Sequence, residues 1–195
     1  MNHPSDLIDE MVKTHLKPAL HEFGFKSRSS TFFRQNGELV EIVSPQKSKW
    51  NNSTGAKFTI NLGVYWPKVQ EILGRASQSF PPKEYECTLR QRLGPLFADQ
   101  RDYWWTVLPD SNIRTIGEDV TEKLRSFAMP WLRRATSLDD AVAIARATEA
   151  IVLHVLKGER GLATSLLNEA FTKSKHAKAF FRSLAGKLEL EIPAE

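Results

Sequence analysis

The stretch from Gly24 to Val64 restricts the fold more than any other. Phe58, Ile60, Leu62 and Val64 alternate with Thr59, Asn61 and Gly63. Side chains of a strand point alternately to its two faces, so this segment reads as a strand with one apolar and one polar face. Upstream, Thr31-Phe32-Phe33-Arg34 and Leu39-Val40-Glu41-Ile42-Val43 flank Asn36-Gly37. Both residues of that pair tolerate positive φ, which marks a tight hairpin. Three strands in a row fix an antiparallel sheet. The second of them runs into Gln46-Lys47-Ser48-Lys49-Trp50, a polar insert that a plain structural strand does not need. The connection Asn51-Asn52-Ser53-Thr54-Gly55 reads as a polar, mobile loop.

What flanks this stretch sets the fold class. Leu7, Ile8, Met11, Val12, Leu16, Ala19, Leu20 and Phe23 recur at spacings of three and four, one stripe of a helix. Pro18 lies inside it and is expected to kink it, and Gly24 is suited to stop it. After an irregular segment, Cys87, Leu89, Gln91 and Leu93 alternate with Thr88, Arg90 and Arg92, giving a strand over 86–93. Tyr103-Trp104-Trp105-Thr106-Val107 reads as a further short strand. From Ser111 the period is helical. One helix is expected over 112–128, with Pro130 restarting a short turn, and one from Ser137, opened by a capping-box-like Ser-x-x-Asp, to Gly158. Two more follow over 159–173 and 175–187. Segregated runs of this kind predict α+β: an antiparallel sheet of four to five strands packed by an N-terminal helix, then a C-terminal helical segment. We place the boundary between an α+β domain, 1–135, and a helical extension packed on it, 136–195.

Composition excludes several classes. With 195 residues, 41% hydrophobic and 26% charged, the chain can bury a full core. A lone cysteine, Cys87, allows no internal disulfide and fits a reducing compartment, so a cytoplasmic location is expected. No basic region followed by an apolar run opens the sequence, and no stretch is long enough to span a bilayer, so neither a signal peptide nor a membrane partner is expected. The net charge is +4, and residues 26–57 carry that whole excess, with six basic residues against two acidic ones. The plain reading is a solvated strand surface whose lysines discourage edge pairing.

Several of these motifs taken in order resemble one family. Leu16-Lys17-Pro18-Ala19-Leu20, Gly24-Phe25-Lys26, Thr31-Phe32-Phe33-Arg34, Gln46-Lys47-Ser48 and Phe58-Thr59-Ile60-Asn61-Leu62-Gly63 begin the series. Cys87-Thr88-Leu89-Arg90-Gln91-Arg92-Leu93-Gly94 and Pro130-Trp131-Leu132 complete it. This set is similar to a bacterial family of uncharacterised proteins, domain of unknown function 4304, over roughly residues 5–135. The resemblance implies the fold and no activity, cofactor or catalytic residue.

The best candidate site is the polar face of the sheet. If Phe58, Ile60 and Leu62 pack under the first helix, Thr59 and Asn61 face away. Arg90 and Arg92 share a face of their own strand, and could there meet Asn61, Gln46 and Ser48. Guanidinium groups with amide and hydroxyl donors suit a phosphate or carboxylate, and Trp104 or Trp105 could supply a stacking surface. The competing reading is that the C-terminal helices cover this face and give both arginines acidic partners. Trp50, between Lys49 and Asn51, is the tryptophan expected to face a partner, whereas Trp105 and Trp131 read as core. The candidate surface is therefore Gln46, Lys47, Ser48, Trp50, Asn61, Arg90, Arg92 and Trp104.

Other patterns carry no chemistry. Ser44-Pro45-Gln46-Lys47 matches a Ser-x-x-Lys nucleophile motif only literally, because it continues a strand. His3, His15, His21, His154 and His176 have no metal-ligand spacing, so no metal and no cofactor are expected. Glu84 with Glu86, and Glu189 with Glu191, read as solvated pairs. The expectation is thus a non-catalytic interaction or accessory domain whose partner is another protein, with no catalytic residue assigned and the oligomeric state left open. Two alternatives stand beside it: nucleic-acid or nucleotide binding through the basic polar face, and an enzyme acting on a small anionic substrate.

Overall fold

The structure, a computed structural model, describes residues 3–192. Helices α1 (Pro4–Met11) and α2 (Lys17–Glu22) are two lengths of one helical run, joined by a π-helical turn at Val12–Leu16. Pro18 supplies the physical reason. It has no N–H to bond back one turn, and its ring would strike the carbonyl four residues earlier, that of Thr14. Widening the turn relieves the clash without breaking the helix. Gly24, at φ +82°, turns the chain out of α2 in a conformation most side chains resist.

A six-stranded antiparallel sheet follows: β1 (Lys26–Arg28), β2 (Thr31–Asn36), β3 (Leu39–Lys47), β4 (Ala56–Tyr65), β5 (Leu89–Arg92) and β6 (Trp105–Val107). The order is β1-β2-β3-β4-β5, with β6 pairing β4 on the same edge as β5. Strand β1 and the pairing of β6 add to the four or five strands expected. The β2–β3 turn lies one residue beyond the Asn36-Gly37 reading. Asn36 pairs with Leu39, so Gly37 and Glu38 are the central residues, and Gly37 alone of them takes positive φ, +59°. Strand β5 begins at Leu89, later than the alternation suggested, because Glu84–Glu86 form a 3-10 turn. Cys87 consequently does not side with Leu89. It joins Val40, Ile42, Tyr65 and Phe33 in a small cluster on the other face of the sheet.

The main core lies on the apolar face. Phe58, Ile60, Leu62 and Val64 of β4 are fully buried there, together with Leu7, Ile8 and Met11 of α1. Arg34 locks one margin of this arrangement. It donates to the Glu41 carboxylate (Nε–Oε2 2.7 Å) and to the Phe23 carbonyl (2.6 Å) at the end of α2. Glu41 is only 1% exposed, and Asn36 donates to its other oxygen at 3.3 Å. Burying that carboxylate is tolerable because a charged partner and a second donor both satisfy it.

Helix α3 (Pro67–Leu73) follows β4. Helices α4 (Ile113–Lys123) and α5 (Met129–Thr136) are joined by a second π-helical turn at Leu124–Ala128, again just before a proline, Pro130. Four further helices follow: α6 (Leu138–Ile144), α7 (Ala147–Leu156), α8 (Arg160–Lys173) and α9 (Lys178–Leu188). The single helix expected from Ser137 to Gly158 is thus two, broken at Ala145 and Arg146, and no Ser137 side-chain cap forms. Helices α7 and α9 pack on α3, and Ile151, Val152, Leu167, Phe171 and Leu184 belong to the same core as the sheet. Among the described residues no helix is long and apolar enough to cross a membrane.

Candidate functional site

Strand register builds a polar row on the face away from the main core. Asn61 pairs with Arg92 across β4 and β5, and Gln46 of β3 lies on the same side. Asn61 donates its amide to Gln46 Oε1 at 2.7 Å. Arg92 Nε donates to Asn61 Oδ1 at 3.4 Å, and its Nη1 donates to Asp102 Oδ2 at 2.7 Å. Trp104 Nε1 donates to the same Asp102 oxygen at 3.0 Å, and the Arg92 guanidinium lies 5.3 Å from the Trp104 ring centre. Four expected residues, Gln46, Asn61, Arg92 and Trp104, therefore form one connected row.

That row is already satisfied. Arg92 and Asp102 neutralise each other at the surface, so an anion would have to displace Asp102 to reach the guanidinium. Arg90, two residues away on the same strand face, is turned to a different carboxylate. It donates to Glu84 bidentately, at 2.9 and 3.2 Å, and these hydrogen bonds to the carboxylate raise its proton affinity further. Both acidic partners come from segments flanking β5, and neither comes from the C-terminal helices. Sequence reasoning missed both. Glu84 was read as a solvated residue, and Asp102 sits in a loop whose course no local period records.

Lys47 goes elsewhere. Neighbouring residues of a strand cannot share a face, so Lys47 points opposite to Gln46. Its ammonium bonds Asp9 at 2.7 Å and the Ser5 carbonyl at 3.0 Å, clamping β3 to α1.

Ser48 and Trp50 form a second locus at the start of β4. The connection expected to be mobile is held by its asparagines. Asn51 brackets Lys57, accepting from its N–H at 2.8 Å and donating to its carbonyl at 3.1 Å. Asn52 Oδ1 accepts from the backbone of Thr54 and Gly55 and from the Thr54 hydroxyl, at 2.7–3.2 Å. Ser48 Oγ accepts from the Trp50 N–H at 3.2 Å. This fixed loop presents a Trp50 side chain 78% exposed, with Lys49 Nζ 4.9 Å from its ring centre. Leu108, 47% exposed, lines the same shallow cleft of about 450 Å³ with Ala56 and Thr106. The sequence singled out Trp50 and gave no sign of Leu108, which reaches the cleft only through the pairing of β6 with β4. By contrast Trp105 and Trp131 are buried, and the Trp105 N–H donates to Asp119 at 2.7 Å.

Among the described residues no cluster of three or more His, Cys, Asp or Glu is placed to hold a metal. Burial, reinforced by the nearby Glu84 charge, pushes the Cys87 thiol well above its ordinary range. A sulfur held as the neutral thiol is a poor nucleophile.

An antiparallel sheet with one helix-packed face, one polar row and an adjoining aromatic loop defines an α+β protein. The family described as Domain of unknown function (DUF4304) matches residues 16–134, and the chain belongs to it. No curated protein and no solved structure gives a significant match.

Proposed function

We propose that this protein is a non-catalytic interaction module that engages another protein through the Trp50 loop. The observation that carries this reading is a large aromatic side chain held out in solvent by a hydrogen-bonded loop, beside a second exposed apolar residue, Leu108. Exposed single hydrophobics are ordinary. A tryptophan on a pre-ordered loop is different, because less backbone entropy remains to be lost there on binding, and tryptophans are enriched among the residues that dominate interface energetics. Lys49 and Lys57 flank the cleft, so the fitting partner inserts an apolar side chain between Trp50 and Leu108 and carries acidic residues around it.

The polar row supports the same reading. Arg92 and Arg90 are each paired to a carboxylate and Lys47 is spent on α1, so the basic polar face offers an extended polyanion little free charge. The test is affinity capture from a lysate of the native host across a salt series, with Trp50→Ala in parallel. A stoichiometric protein retained at high salt by the unaltered chain and lost with Trp50→Ala is the expected result. Nucleic acid that is released steeply as salt rises would favour the alternative and overturn this reading.

A further inference from the structure

A second cleft lies at the other end of β4, away from the Trp50 loop, and the interaction reading makes no use of it. It encloses about 550 Å³, within the usual range for small-ligand sites. Three arginines from three separate parts of the chain line it: Arg75 after α3, Arg90 on β5, and Arg146 at the break between α6 and α7.

An account of donors shows how much of this charge is unused. A guanidinium carries five N–H donors. Arg75 gives a side-chain bond only to Glu149, at 3.0 Å, and Arg90 gives its two to Glu84. The Arg146 guanidinium has no hydrogen-bond or ion-pair partner among the described residues, and Arg146 is exposed. Arg146 is also the N-cap residue of α7, and no side chain caps that helix. The first N–H groups of α7 and their partial positive charge therefore stand open beside the one guanidinium of these three that no carboxylate occupies among the described residues.

A second observation is independent of charge. Gln70 lines the same cleft and is 3% exposed. Its amide nitrogen donates to the Glu86 carbonyl at 3.0 Å and the Thr88 hydroxyl at 3.2 Å, which fixes the orientation of the group. Its Oε1 has no donor. Buried acceptors are rarely left so; Oε1 is itself shut off from solvent, so a ligand hydroxyl or N–H would reach it by opening this wall of the cleft.

We propose that this cleft binds a small hydroxylated organic anion, its carboxylate or phosphate gripped by Arg75, Arg90 and Arg146 at the N-terminus of α7. Glu86 and Glu149 line the cleft too, so the lining side chains carry one net positive charge. That balance suits a compact anion and disfavours a polyanion such as nucleic acid.

The experiment is a titration of the full chain, followed by backbone and side-chain amide resonances, with citrate and inorganic phosphate as separate probes. Saturable shifts are expected at Ala147, Thr148 and the Gln70 amide with at least one probe, and the stronger probe identifies the anionic group. Arg146→Ala, which removes no internal contact, should unfold at the same temperature as the unaltered chain and weaken binding about tenfold. Arg114→Ala, which removes an equal charge from the far exposed surface of α4, should leave binding unchanged. No saturable shift with either probe would overturn the proposal, as would equal affinity in Arg146→Ala or shifts confined to other basic surfaces. Each outcome leaves the Trp50 interaction untouched, because the two loci share no residue.

Discussion

Asp102 sets the state of the polar row. Partial burial pushes its carboxyl up, and hydrogen bonds from Arg92 and Trp104, with the Arg92 charge, more than offset this and hold it below its ordinary value. A carboxyl depressed in the folded state contributes stability that is present above its unfolded value, ~3.9 for aspartate, and lost as pH falls through the folded value. The window therefore lies below about pH 4. Because Asp102 is half exposed, water screens the pair and global stability should change little. The local signal should be clear. The Trp104 indole N–H resonance is expected to hold steady from neutral pH down to about 4 and to move below it, and Asp102→Asn should abolish that movement. A midpoint above the ordinary aspartate value would mean that Arg92 and Asp102 do not pair in solution. At this scale the sequence was half legible. Alternation sorted Asn61 from Ile60 and Leu62 because strand period is local, but that Gln46 shares its face follows from the β3–β4 register, which the sequence left conditional. Lys47 was grouped with them against that same rule, and Asp102 depends on where a loop folds back, which no neighbouring residue dictates.

Two helices of this protein each contain a π-helical turn, and each turn ends two residues before a proline, Pro18 or Pro130. A proline in an amphipathic stripe was readable as a kink. The accommodation was not, because whether a helix breaks or widens depends on the packing that holds its two halves in line. Here the packing partner is Gly117 of α4. A Cβ at Gly117 would lie 2.4 Å from His15 Cγ and 2.6 Å from His15 Cβ, in the first π turn. His15 belongs to the apolar stripe by position and lies against α4 by structure. Replacing glycine by alanine inside a helix ordinarily stabilises by roughly 0.5–1 kcal/mol. At Gly117 the overlap with His15 should win, since overpacking typically costs ~1–3 kcal/mol and the striking atoms sit near the backbone. Gly117→Ala is therefore expected to lower the denaturation midpoint, with a net loss of about 1–2 kcal/mol. His15→Ala in the same chain should restore most of it, a coupling that a double-mutant cycle reads directly. A stabilising Gly117→Ala would mean that the helices are farther apart than described. The break at Ala145 and Arg146 was equally hidden, for neither glycine nor proline marks it, yet it is what brings Arg146 to the cleft.

The whole molecule is organised by a core that crosses the end of the family match. That match stops at residue 134, whereas the core continues through Ile151, Val152, Leu167 and Leu184. Helix α3 is one point of contact. Val69 and Leu73 of α3 are buried, and α7 and α9 pack on this helix. The Trp66 indole just before it donates to the Ala135 carbonyl at 3.0 Å. Uncovering two such side chains forfeits about 3–6 kcal/mol at roughly 1.5–3 kcal/mol each. A domain of this size has a total stability of only about 5–15 kcal/mol. The C-terminal helices, read from sequence as a helical extension packed on the sheet domain, are thus expected to help keep that domain folded. A fragment of residues 1–135 is accordingly expected to bind a hydrophobic dye and to lose the cooperative thermal transition, while the full chain unfolds in one transition. A fragment that melts as sharply as the full chain, at a similar temperature, would mean that α3 finds other cover and that the two parts fold independently. The same comparison bears on the cleft, because Arg146 and the start of α7 lie beyond residue 135 and Arg75 and Arg90 before it. A site assembled from both sides of that boundary can exist only if the two parts are held together, and so anion binding and joint unfolding should be lost in the same fragment.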